Sequence, residues 1–167
     1  WGFGWVSNGF RELKMASPSI VVGFTTEQIA ALTTAQIQTI AASDVALLST
    51  TQATGFTTDQ VQAFTTAQVQ AFTTAAVRAF TTAQIAALET SDLAAMKSTQ
   101  VGAFRTEQVG VLNTDQIRSL TSSQVVALSS AAFQVLTTEQ ALALETADFA
   151  ALKTSQVSAL STSAVAA

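Results

Sequence analysis

The chain has 167 residues, 49% of them hydrophobic, with seven Lys plus Arg against eleven Asp plus Glu, a net charge of -4 and neither His nor Cys. That length suits one domain, and the sparse, scattered positive charge gives nucleic-acid or anionic-membrane binding no electrostatic basis. Without His or Cys the chain lacks the commonest catalytic bases, nucleophiles and zinc ligands and any disulfide, and no apolar run approaches the ~20 residues needed to span a bilayer.

Residues 1 to 23, WGFGWVSNGFRELKMASPSIVVG, stand apart from the rest: they hold both Trp, the only Pro (Pro18) and four of the seven Gly. No initiating Met and no charged-then-apolar leader is present, so the expectation is a fragment or a processed product. Asn8 to Met15 is predicted to form one short helix. Trp1, Phe3, Trp5 and Phe10 read in two ways: as part of a cap over the first open coil of a repeat structure, or as an aromatic plug that docks on the next molecule or an upstream domain.

From residue 24 to 167 the chain is an uninterrupted eight-residue repeat. Eighteen large apolar anchors follow one another at a spacing of eight, from Phe24, Leu32 and Ile40 to Leu152 and Leu160. With the anchor as position 8, position 5 is apolar throughout, position 7 is mostly Ala, and position 2 is Thr or Ser except at Ala42. Position 1 is Thr, Ser or Asn in twelve octads and position 4 is Gln in twelve, as in Thr25 with Gln28 and Thr65 with Gln68. That spacing spells a capping box, in which the hydroxyl accepts from the N–H three residues on and the Gln reaches back to the cap's own N–H. The anchor before the cap and the branched residue at position 5 occupy the two places of a hydrophobic staple. Box and staple agree on one helix start per octad.

A continuous helix does not fit, because eight residues overshoot two turns by roughly 80° and the anchor stripe would spiral around the rod. A β-solenoid is the alternative, given the Val, Ile, Thr and Phe content. It places positions 5 and 8 on opposite faces, and the Ala and Gln argue for helix. Helices of about five or six residues are unstable alone, so their stability must come from stacking. The predicted architecture is an all-α solenoid of very short helices, three octads per coil in a triangular prism, with four per coil as the square competitor. Three is preferred because a narrower prism leaves less interior for one Leu or Phe per octad to fill. Eighteen octads then make six coils, a rod about 50 to 60 Å long at ~8 to 10 Å between packed helices.

Three two-octad blocks, AASDVALLSTTQATGF (41 to 56), ETSDLAAMKSTQVGAF (89 to 104) and ETADFAALKTSQVSAL (145 to 160), resemble one another and suggest block duplication. In the last two, Glu89 with Lys97 and Glu145 with Lys153 are expected to pair across a corner, for about 0 to 1 kcal/mol. Thr90, Ser98, Thr146 and Thr154 are expected to take over the displaced caps one residue later. The chain closes on STSAVAA with no visible C-terminal cap, so Leu160 and Val165 are expected at an open end that binds another domain or stacks on another copy. Stacking of that kind, if it does not close, gives a filament.

Glu89 with Asp92 and Glu145 with Asp148 are the close carboxylate pairs. They sit at helix starts, where acidic residues suit the dipole, and no loop carries the 12-residue calcium pattern. No phosphate loop, nucleophile elbow or metal motif is present. Adjacent Thr pairs on a solenoid face raise ice binding as a lesser alternative, though capping already accounts for them.

FTTAQVQAFTTAAVRAFTTAQIAAL (64 to 88) resembles the LTTAQ(I/V)AA octapeptide tracts of large bacterial exported and surface proteins described as adhesin-like, haem-utilisation or calcium-binding repeat proteins. The resemblance covers residues 24 to 167 and leaves 1 to 23 unmatched. It implies a structural repeat protein, extracellular or at the cell surface. Haem and calcium do not carry over, because the chain has no His and no glycine-aspartate nonapeptides. The resulting expectation is a non-enzymatic rod or spacer without cofactor or metal, joined to itself end to end or to adjacent domains of a longer protein, with no nucleic-acid partner and no membrane insertion. The alternative is a binding module of adhesin type that uses a lateral face.

Overall fold

The computed structural model describes residues 21 to 160. A 3-10 turn at Val21–Gly23 leads into α1 (Thr26–Ala30), α2 (Thr34–Thr39), α3 (Ala42–Val45), α4 (Thr50–Thr54), α5 (Thr58–Gln62), α6 (Thr66–Ala71) and α7 (Thr74–Ala79). The chain continues through α8 (Thr82–Ala86), α9 (Thr90–Ala95), α10 (Ser98–Val101), α11 (Thr106–Gly110), α12 (Thr114–Ser119) and α13 (Ser122–Ala127). It closes with α14 (Ser130–Gln134), α15 (Thr138–Leu142), α16 (Thr146–Ala151) and α17 (Thr154–Val157). No strand occurs among the described residues, so the β-solenoid alternative falls away.

Each helix starts at position 2 with position 1 as its N-cap. Thr25 accepts from the Gln28 N–H at 3.3 Å while Gln28 Oε1 accepts from the Thr25 N–H at 2.9 Å, the full box. The last turn is tightened by the anchor N–H, which donates to the position-5 carbonyl, as Leu88 does to Ile85 at 3.2 Å. The corner then consists of two extended residues, anchor and next cap: Phe80 at φ -50, ψ 141 and Thr81 at φ -69, ψ 160. Any L-residue adopts those angles, which is why a turn every eight residues needs neither Gly nor Pro.

The charged caps hold the same register. Lys97, Glu145 and Lys153 remain the N-caps of α10, α16 and α17, and the cap does not move to the following hydroxyl as expected. Their N–H groups still find acceptors at N3, in Gln100 at 2.8 Å, Asp148 at 3.0 Å and Gln156 at 2.9 Å. Glu89 likewise stays the N-cap of α9 with neither half of the box, and Thr90 does not take over, so the start is fixed by the coil and not by the box alone. Nor do Glu89 with Lys97 or Glu145 with Lys153 pair across a corner; the ion pairs among the described residues are Arg105 with Glu107 and Arg118 with Asp115.

Helices three apart pack on one another, α1 on α4, α4 on α7 and α7 on α10, and likewise along the other two sides. The helices thus form a three-sided solenoid with one core running through it. Anchors and position-5 residues fill that core; Ile29, Ile37, Val45, Val61, Val77 and Ile85 are fully buried. Phe56, Phe64, Phe72 and Phe80 meet edge to face, with consecutive ring centroids 5.0, 5.1 and 5.0 Å apart and Phe56 to Phe72 at 6.2 Å. Consecutive anchors therefore face one another across the axis, which only a tight coil permits. The described coil also reaches back to the 3-10 turn, where Val21 is buried in the place of a position-5 residue, ahead of the boundary at 24 drawn from the sequence.

Candidate functional site

Position 4 carries a second task beyond the capping box. Gln52, Gln60, Gln68, Gln84, Gln100, Gln108, Gln116, Gln124, Gln140 and Gln156 are all buried. While Oε1 holds the helix's own cap, Nε2 crosses to the coil below and donates to the backbone carbonyl 28 residues earlier and to a second one 30 or 31 residues earlier. Gln68 reaches Ile37 O and Ile40 O at 2.7 Å each, and Gln124 reaches Leu93 O and Met96 O at 2.7 Å each. These carbonyls belong to the C-terminal turn and corner of an earlier helix, where a short helix leaves acceptors without partners. One amide therefore closes the start of one helix and the end of another, and the coils are joined by a ladder of such rungs.

Coil-to-coil hydrogen bonds join residues from 25 apart, as Gln70 Nε2 to Ala95 O, to 31 apart, as Gln84 Nε2 to Ala53 O. Bonds across 28 and 31 residues join position 4 of one octad to positions 8 and 5 of the octad four before it, at the corner ahead of the helix on which its own helix packs. Small residues admit this approach. A Cβ on Gly55 would stand 2.9 Å from Thr26 Cα, and one on Gly102 would stand 2.8 Å from Ala127 O.

Five of the described octads lack the glutamine. Ala76 and Ala132 are buried and supply no amide. Asp148 takes the cap half with Oδ2 on the Glu145 N–H at 3.0 Å and accepts from Ser122 Oγ at 2.7 Å with Oδ1. Asp44 is buried without either bond, and Asp92, 3% exposed, makes no side-chain hydrogen bond among the described residues. Burial first, and the Glu89 carboxylate second, push the Asp92 carboxyl from 3.8 up to about 6. Glu27 and Glu139, exposed in the first turns of α1 and α15, are held low by backbone N–H groups and then by the hydroxyls of Thr25 and Thr137.

The first and last described coils differ in what they leave uncovered. On the first described coil Gln28 is exposed and Gln36 half-buried, and neither amide reaches a carbonyl among the described residues. On the last, Phe149 and Val157, both at position 5, are 43% and 49% exposed where their counterparts in the body of the rod are covered. Leu160 closes the core at 9% exposed, while Trp1, Phe3, Trp5, Phe10 and Val165 lie outside the described residues. No helix among the described residues is long and apolar enough to cross a membrane.

The double role of position 4 was missed in the sequence, although a signal was there. A capping box accepts Glu as readily as Gln, yet Glu never appears at position 4 in this chain and does appear at positions 1 and 3. Gln, unlike Glu, both accepts and donates, which is what the double role needs.

No curated protein and no solved structure matches the chain. The sequence model of the ALTTAQ repeat matches it three times, at residues 66 to 90, 85 to 122 and 142 to 167, with the Gln rung inside the motif that gives the repeat its name. This helical solenoid, built from capped octads and joined by buried glutamines, carries matches to the ALTTAQ repeat over residues 66 to 122 and 142 to 167.

Proposed function

We propose that this structural repeat protein is a non-catalytic rod of a bacterial cell-surface or extracellular assembly, and that it joins end to end with further copies or with adjacent repeat domains. The observation that carries the reading is the unlike pair of coil faces: amide donors on one side at Gln28 and Gln36, apolar Phe149 and Val157 on the other. Such a pair is heterologous, and a heterologous contact that does not close builds a filament. The likeness of the octads to repeat tracts in large bacterial exported proteins supports the location. A lateral binding face has less support, because the outward positions 3 and 6 vary freely among small, polar and charged residues.

Electron microscopy of the purified chain over a range of concentrations tests the reading. Filaments that lengthen with concentration, and that shorten when Phe149 and Val157 are changed to Glu, support it. Separate short rods at every concentration overturn self-association.

A further inference from the structure

Asp92 occupies a place built for an amide donor. In α13 the Gln124 amide donates to the carbonyls 28 and 31 residues before it, and in α6, α8 and α10 the same pair of bonds recurs. The corresponding carbonyls for α9 are those of Phe64 and Val61. A carboxylate there offers these acceptors nothing but further acceptors; Asp92 is 3% exposed, makes no side-chain hydrogen bond among the described residues, and keeps slight solvent contact at its oxygens. An ionised group left unpaired in such a place takes up a proton instead.

We propose that Asp92 is a pH-sensitive rung of the ladder. As the neutral acid its O–H donates toward the Phe64 and Val61 carbonyls, joining α9 to the coil below, and as the carboxylate that junction is lost. The proton comes from solvent and returns to it, and no other bond is made or broken. The side chain is one methylene shorter than Gln, so one bridging water completes the link where the direct reach falls short. Few other charges bear on it. Glu89 sits at the N-cap of the same helix and opposes ionisation, and α6 carries no titratable residue. In α12, Asp115 and Arg118 are engaged with each other at 3.2 Å on the exposed surface, and in α5 Asp59 is exposed.

The sign follows from the shift. The folded chain holds the proton up to about pH 6, the unfolded chain only to 3.8. The contribution of the neutral acid is therefore complete below about pH 4 and is lost as pH rises through about 6, a change of about 100-fold in the unfolding equilibrium. The experiment is urea unfolding of the whole chain at pH 4.5 to 8, with Asp92→Gln and Asp92→Asn beside the native protein. Carbonyl NMR of the Asp92 carboxyl accompanies it. The expected result is a native midpoint that falls from pH 4.5 to about 6 relative to both variants and levels off above that, with Asp92 titrating near 6. Parallel pH curves for native and variant chains, or a titration near 4, would overturn the proposal. If Asp92→Gln fails to fold, Asp92→Asn and the carboxyl titration of the native chain still decide it.

Discussion

Changing Gln124 to Glu tests the ladder with almost no change in shape. Oε1 keeps its bond to the Thr121 N–H at 2.7 Å, but the amide that donates to Leu93 O and Met96 O, both at 2.7 Å, becomes an oxygen facing two carbonyls. Two lost bonds contribute about 1 kcal/mol each. A buried charge without a partner adds a penalty of several kcal/mol, limited by the ease with which the group takes up a proton. At pH 7 the sum is about 3 to 5 kcal/mol. It shrinks at pH 5, where the protonated acid recovers one donor. Gln124→Leu adds no charge: it removes both rung bonds and the Oε1 bond to the Thr121 N–H, and its larger apolar surface offsets part of the loss, leaving about 1 to 3 kcal/mol. Gln38→Glu is the control, since Gln38 is exposed and such changes stay within about 0.5 kcal/mol. The assay is urea unfolding followed by far-UV circular dichroism, with amide hydrogen exchange in α9 and α13 as the local readout, because repeat arrays open in parts. If Gln124→Glu costs no more than Gln38→Glu, and exchange in α9 does not change, the amides do not hold the coils together and the ladder argument fails.

Phe72→Ala removes a ring that meets three others at 5.1, 5.0 and 6.2 Å; the same unfolding assay should register about 3 to 5 kcal/mol, and Phe72→Leu less than half of that. Gly102→Ala forces a methyl to within 2.8 Å of the Ala127 carbonyl oxygen and should cost about 1 to 3 kcal/mol. Gly110→Ala, whose methyl would come no closer than 4.0 Å to Val135 Cγ2, should be neutral or stabilising by up to about 1 kcal/mol, so a common sign for the two would contradict the account of close approach. Lys97→Thr restores the missing hydroxyl half of the box at the start of α10 and should raise the thermal midpoint, by about 0.5 to 1 kcal/mol in stability.

What can be read from one octad was legible in the sequence. Thr65 with Gln68 states where α6 begins, and Phe64 with Val69 states which side chains turn inward, because caps and staples act over three to five residues and leave their pattern in adjacent letters. The same locality explains two failures. Thr90 and Ser98 were expected to replace the charged caps one residue on, but the rest of the coil fixes the register, and a single N3 acceptor suffices to keep Lys97 in place. The ion pairs expected across corners are surface contacts with little to hold them.

The repeat itself therefore determined the all-helical solenoid, its helix starts and its inward faces. The tertiary structure alone decided which carbonyls each glutamine meets, and that Asp92 lies in a donor's place without a donor's hydrogen. The reason is physical: the partners of Gln68 are Ile37 and Ile40, 31 and 28 residues away, and no period of eight specifies that distance until the coils have closed on one another.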